Sequence, residues 1–133
     1  MTLPLKYRPI RVGPLPVEKI NRALGTELEP GEVWVSSGAH EHIARDHPDD
    51  YAFMIAAIFE IVGGPLYVGQ DPKHHRNFYV VRALPAQAPT PHGLVAIGFE
   101  LNRRGEYSVK SAYSIDQADL NARRAARRLH LVT

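Results

Sequence analysis

Residues 51–69 read YAFMIAAIFEIVGGPLYVG, and a change of pattern inside this stretch decides the fold class. Tyr51, Met54, Ile55, Ile58, Phe59 and Val62 recur at the spacing of one buried helix face. Asp49 and Asp50 stand just before them, where the positive end of a helix favours carboxylates. Gly63 and Gly64 suit the helix end, and Pro65 bars its continuation. Beyond Pro65 the helical period is lost. Residues 66–69 instead form a short apolar run of the kind that makes a strand.

Downstream, three further runs read as strands, at 77–84, 94–101 and 106–115. Loop-forming segments separate them, ending in the tight-turn candidate Asn102-Arg103-Arg104-Gly105. Residues 116–129 close the chain as an Ala- and Arg-rich helix, capped by Ser114 or Asp116. Upstream, residues 16–24 predict a short helix with Pro16 at its start, Gly25 at its end, and Val17, Ile20 and Leu24 on one face. Residues 33–36 predict a short strand, and Trp34 is expected in the core. Ser36 or Ser37 then caps a helix over 39–47, which Pro48 interrupts. Helices come first, then an antiparallel meander, then a helix, which is the order of an α+β fold. The expectation is a single domain over 1–133, with residues 1–16 extended. Its N-terminal helices pack on a four-stranded antiparallel sheet, and a C-terminal helix follows.

The chain has 133 residues, enough for one domain with a sizeable core. It has no cysteine, which rules out disulfides and thiolate chemistry. The N-terminus lacks the apolar centre of a signal peptide, and no apolar run approaches a membrane span. A cytoplasmic location is therefore expected. Charge is uneven. Residues 1–70 carry 6 basic and 9 acidic side chains, whereas residues 71–133 carry 10 and 5. A basic C-terminal half hints at a polyanionic partner.

The chemistry concentrates in 37-SGAHEHIARDHP-48. A zinc-binding His-Glu-x-x-His pair starts correctly at His40-Glu41, but the fifth position is Ala44. His42 and His47 are five residues apart, about 140° around a helix, so they do not face one metal. No metal and no cofactor is expected. Histidine exchanges protons near neutral pH, and two histidines with one cation suffice to cleave RNA without metal. His42 and His47 are the candidates for proton transfer at this helix junction. His40 reads as a bystander. His74, His75 and Arg76 sit in a hairpin loop where a ligand could be met, and Arg82 is a mid-strand cation in need of an anionic partner. Of these, Arg76, Arg82 and His75 are the substrate-binding candidates. Arg123, Arg124, Arg127 and Arg128 read more readily as a solvated face near a helix C-terminus than as phosphate contacts.

The order of elements resembles the phage-associated branch of the barnase–EndoU–colicin–RelE-like nucleases. Three segments carry the resemblance: a strand ending in Ser36 followed by 42-HIARDHP-48, then 65-PLYVG-69, then 107-YSVKSAY-113. The likeness spans roughly residues 17–128. It implies a barnase-like fold and a metal-independent endoribonuclease used in phage, toxin–antitoxin or toxin–immunity conflict. RNA would be the substrate, and an antitoxin or immunity protein a partner. It also implies that His42 and His47 transfer protons, that Lys110 stabilises phosphate charge, and that Ser111 and Tyr113 orient the phosphate or base. The alternative is a non-catalytic RNA- or protein-binding module of the same fold. One conflict stands out. On a regular strand Lys110 and Ser111 point to opposite faces, and Val109 and Ile115 would draw Ser111 toward the core. Only a bulge would let both serve one site.

Overall fold

The computed structural model describes residues 7–133; of the extended N-terminal segment, residues 1–6 lie outside the described residues. Its centre is the predicted meander: β3 (Tyr67–Gln70), β4 (Asn77–Ala83), β5 (His92–Gly98) and β6 (Glu106–Ile115), each antiparallel to the next. Phe78, Val80, Val95 and Ile97 point to one face of this sheet, while Tyr79, Val81, Leu94 and Ala96 point to the other, and all are buried. Strands covered on both sides read as continuous apolar runs rather than as alternation.

Among the described residues the sheet has seven strands, not the expected four. Its order is β1-β2-β6-β5-β4-β3-β7, with β1 at Ile10–Pro14, β2 at Glu32–Val35 and β7 at His130–Leu131. It is also mixed, because β2 runs parallel to β6. Each added strand was hard to place for its own reason. β1 is interrupted at Gly13, whose φ of 124° only glycine adopts readily. β2 is the strand expected at 33–36, but it joins the sheet through β1 and β6, partners that no local pattern names. β7 is two residues long.

Helices cover both faces rather than one. α1 (Val17–Leu24), α2 (Ser37–Asp46) and α3 (Tyr51–Gly63) bury Ile20, Ile43, Met54, Ile58, Ile61 and Val62 against the first face. α4 (Gln117–Ala125) lays Leu120 on the second, among Tyr67, Tyr79, Val81 and Leu94. Phe59, expected in the core, is 48% exposed, and Ile61 takes its place. Glu60 is the only charged residue in α3, so little in the sequence fixes its rotation. Trp34 also departs from expectation. Val33 and Val35 point into the first core, so Trp34 faces the opposite side, half-buried.

α4 stops four residues before its expected end. The Arg128 N–H donates to the Arg123 carbonyl at 2.8 Å, and Arg127 adopts a left-handed φ of 58°. This is the Schellman turn, with arginine where glycine is usual. Leu129 then enters the second core. The turn fits because residue 69 is glycine: a Cβ there would lie 1.7 Å from the Arg128 carbonyl oxygen.

Candidate active site

The site begins with an irregularity in β6. Val109 stands opposite Ile97, but Ser111 stands opposite Ala96, so Lys110 is one residue too many. This is the bulge that the sequence conflict required. Before it, Tyr107 and Val109 enter the first core; after it, Ala112 does. Ser111 and Tyr113 are thereby moved to the opposite face, which corrects the expectation that Ser111 follows Val109 inward. Lys110 crosses to the same side: its Cε would lie 3.1 Å from a Cβ placed on Gly98. Lys110, Ser111 and Tyr113 line one groove.

Among the described residues, no strand lies on the β2 side of the second half of β6. β2 pairs only with residues 106–108, and then the chain turns into α2. The Ser36 hydroxyl caps that helix, accepting the Ala39 N–H at 3.1 Å. α2 and the junction after it occupy the position of the missing strand. Asp50 accepts the Ser114 N–H at 2.9 Å and the Ser114 hydroxyl at 2.6 Å, satisfying an edge that would otherwise be open. The His47 ring lies against Tyr113, with centroids 5.1 Å apart. One turn earlier His42 reaches the groove. Its Nδ1 lies 2.9 Å from the Asp46 carboxylate, so the pairing holds the ring and leaves Nε2 for other partners.

The opposite wall comes from the β3–β4 loop and α4. Asp71 is 3% exposed and accepts the N–H groups of Lys73 and His74 at 2.9 and 3.1 Å, which fixes the loop bearing those two side chains at the groove. Burial works against the Asp71 carboxylate. The N–H bonds from His74 and Lys73, with Tyr79 and His74 nearby, outweigh it and hold the pKa below the ordinary aspartate value. On the floor, Tyr79 has its phenol pKa pushed up, first by burial and then by Tyr113 and Asp71. Arg123 donates to Asp119 at 2.7 Å and lies over the Tyr79 ring, 5.3 Å from its centroid. Burial would lower the Arg123 pKa, but Asp119 and Tyr113 outweigh it and keep the guanidinium charged. Lys73, Lys110, Arg123 and Arg128 thus make the groove cationic.

Of the residues singled out in the sequence, His42, Lys110, Ser111 and Tyr113 meet in this groove, with His47 behind Tyr113. Arg76, His75 and Arg82 do not line it. Arg76 is exposed, and its carbonyl accepts the Phe99 N–H. His75 lies on a neighbouring cleft with Arg127 and His130. Arg82 donates to the Gly64 carbonyl at 2.7 Å, anchoring the end of α3. His40 is buried, its ring nitrogens 2.8 Å from the Arg8 carbonyl and 2.7 Å from the Tyr51 hydroxyl. Sequence reasoning missed Lys73 and Tyr79, named His74 only as a loop residue that a ligand could meet, and read Arg123 as part of a solvated face. For Arg123 the available signal was Asp119 four residues earlier, which forms an ion pair on a helix. Among the described residues, no three His, Asp or Glu side chains are arranged to hold a metal ion. No helix among them is long and apolar enough to cross a membrane.

Residues 10–122 match the family described as phage-Barnase-EndoU-ColicinE5/D-RelE like nuclease3. No curated protein and no solved structure matches the chain.

Proposed function

The chain belongs to this phage-associated nuclease family, and from that premise we propose that it is a metal-independent endoribonuclease whose active site is the groove between α2, β6 and α4. The observation that carries this reading is the bulge at Lys110. It sets a cation, a hydroxyl and a phenol on the same face as His42, whose Nδ1 is already engaged by Asp46.

The chemistry is transphosphorylation. His42 Nε2 takes the proton of a 2′-hydroxyl, and that oxygen attacks the adjacent phosphorus. Lys110 and Arg123 stabilise the charge on the pentacoordinate phosphate, and Ser111 and Tyr113 orient it. The bond to the 5′-oxygen breaks, and that oxygen takes a proton from a second imidazole. The products are a 2′,3′-cyclic phosphate and a free 5′-hydroxyl. We assign the second proton to His74, which lines the far wall, and give His47 the task of holding Tyr113 in place.

The test is cleavage of mixed RNA by pure protein, with and without EDTA, for the parent and for His42→Ala, His74→Ala and His47→Ala. Cleavage that survives EDTA and is lost in the first two variants supports the assignment. Loss with His47→Ala but not with His74→Ala moves the acid to His47. Salt-sensitive RNA binding without cleavage by any form would make the protein a binding module. Loss of cleavage on chelation would contradict metal independence.

A further inference from the structure

Trp34 is the only tryptophan in the chain, and it does not lie in either core. It is half-buried on the face of the sheet that carries the groove, and no α4 residue lines its cleft. In the ladder it stands beside Ser108, two residues before Lys110 on the same strand. At ~3.3 Å per residue that is roughly 7 Å along β6. Trp34, Ser36 and Ser108 share a shallow cleft with Asn102, Arg103 and Arg104.

The turn on the rim of this cleft is rigid. Asn102 Oδ1 accepts the N–H groups of Arg104 and Glu106 at 2.8 and 3.0 Å, and its Nδ2 donates to Glu106 at 3.1 Å. Gly105 closes the turn with a φ of 73°. The turn's backbone is thereby satisfied by its own residues. The guanidinium groups of Arg103 and Arg104 have no carboxylate partner among the described residues, whereas the nearby Arg11 is paired with Glu32 at 2.7 Å.

We propose that this cleft is a binding subsite for a flanking nucleotide of a single-stranded nucleic acid, with the base stacked on Trp34 and its phosphates met by Arg103 and Arg104. The subsite rests on the nuclease reading for its occupant, and it extends that reading beyond the groove. An aromatic ring next to unpaired cations is the pairing that single strands use, because every base has a face to stack and every linkage a charge. Ser108 in the cleft and Lys110 in the groove stand two residues apart on β6, so one strand can span both.

A single tryptophan allows a direct test. The full chain carrying His42→Ala is titrated with a single-stranded RNA of about eight nucleotides, within the usual span of such sites. Tryptophan fluorescence and the anisotropy of a dye on the RNA are followed together. The subsite predicts that emission is quenched with the same midpoint as the anisotropy change. Trp34→Ala should weaken binding by roughly five- to hundred-fold, the effect of one base–aromatic stack. Trp34→Phe should recover part of the loss, which a folding defect alone would not explain. Arg103→Ala and Arg104→Ala, in an exposed turn, should weaken binding and flatten its salt dependence. In the cleaving enzyme, Trp34→Ala should raise KM more than it lowers kcat. RNA binding without quenching, or Trp34→Ala cleaving with an unchanged KM, overturns the subsite while leaving the nuclease reading intact. Quenching and binding by a protein that never cleaves supports the subsite and overturns the enzyme. Absence of any RNA binding overturns both.

Discussion

Lys110 lies across Gly98: a methyl group on that glycine would stand 3.1 Å from Lys110 Cε and 3.9 Å from its Nζ. The bulge turns Lys110 toward the groove, and the bare backbone of β5 gives its side chain a place to lie. Position 98 therefore limits, from the neighbouring strand, where the Lys110 side chain can lie.

Gly98→Val should push the ammonium out of position. The crowded atom is the far end of a flexible side chain, so the fold can adjust. We expect a loss of about tenfold in kcat with little change in the urea midpoint. Lys110→Ala, which removes the charge altogether, should lower kcat by about 10²–10³-fold, the usual range for one donor to developing charge. Steady-state kinetics on the two variants check the order. A Gly98→Val enzyme as active as the parent would show that the position of Lys110 is unimportant.

Deleting Lys110 tests the bulge as a structural device. Without the extra residue β6 becomes regular, with Val109 still opposite Ile97 and Ser111 still opposite Ala96, so Ser111 and Tyr113 keep their face. Only the cation and the local bend are lost from the groove. The deletion should therefore keep a cooperative urea transition while losing at least as much activity as Lys110→Ala, which should unfold within about 0.5 kcal/mol of the parent, as exposed substitutions usually do. A deletion variant that no longer unfolds cooperatively would contradict the register described for this strand.

Asp71 gives a pH signature. Its pKa is lower in the folded chain than in the unfolded one. The resulting stability is fully present above the unfolded value and is lost as the pH falls through the folded value. Asp71→Asn should therefore be less stable than the parent at pH 7, and the gap should close in acid. Asp71→Ala, which also removes the acceptor for two N–H groups, should cost about 1–3 kcal/mol at neutral pH. Urea unfolding of the three proteins between pH 7 and about pH 3 reads this out. A gap that is constant, or that widens in acid, would be inconsistent with a stabilised carboxylate.

Residues 51–69 disclosed the helix-to-strand switch because long periodic segments and the Gly63-Gly64-Pro65 stop are local signals. The same locality exposed the cap at Ser36 and the four strands of the meander. What stayed hidden depends on partners far away in sequence. β2 joins the sheet by lying parallel to β6, a pairing that no short-range pattern encodes. Phe59 was misplaced because α3 is apolar around most of its circumference. The site was half-legible. His42, Lys110, Ser111 and Tyr113 could be named as residue types, but strand parity alone separated Lys110 from Ser111, and only the register against β5 reveals the bulge. Lys73 escaped notice, and His74 was read only as a loop residue, because Asp71, buried by tertiary packing, is what fixes their loop.

The central claim, that this groove cleaves RNA through its 2′-hydroxyl without metal, is tested most directly by the ends of the product. Two oligonucleotides, one all-ribose and one with a single 2′-deoxy sugar at the cleaved position, are incubated with the protein in EDTA, and the products are resolved by mass. The groove described here predicts cleavage of the all-ribose strand to a 2′,3′-cyclic phosphate and a 5′-hydroxyl, and no cleavage at the deoxy position. Cleavage of the deoxy strand at that position, or a 5′-phosphate on the product, would contradict it.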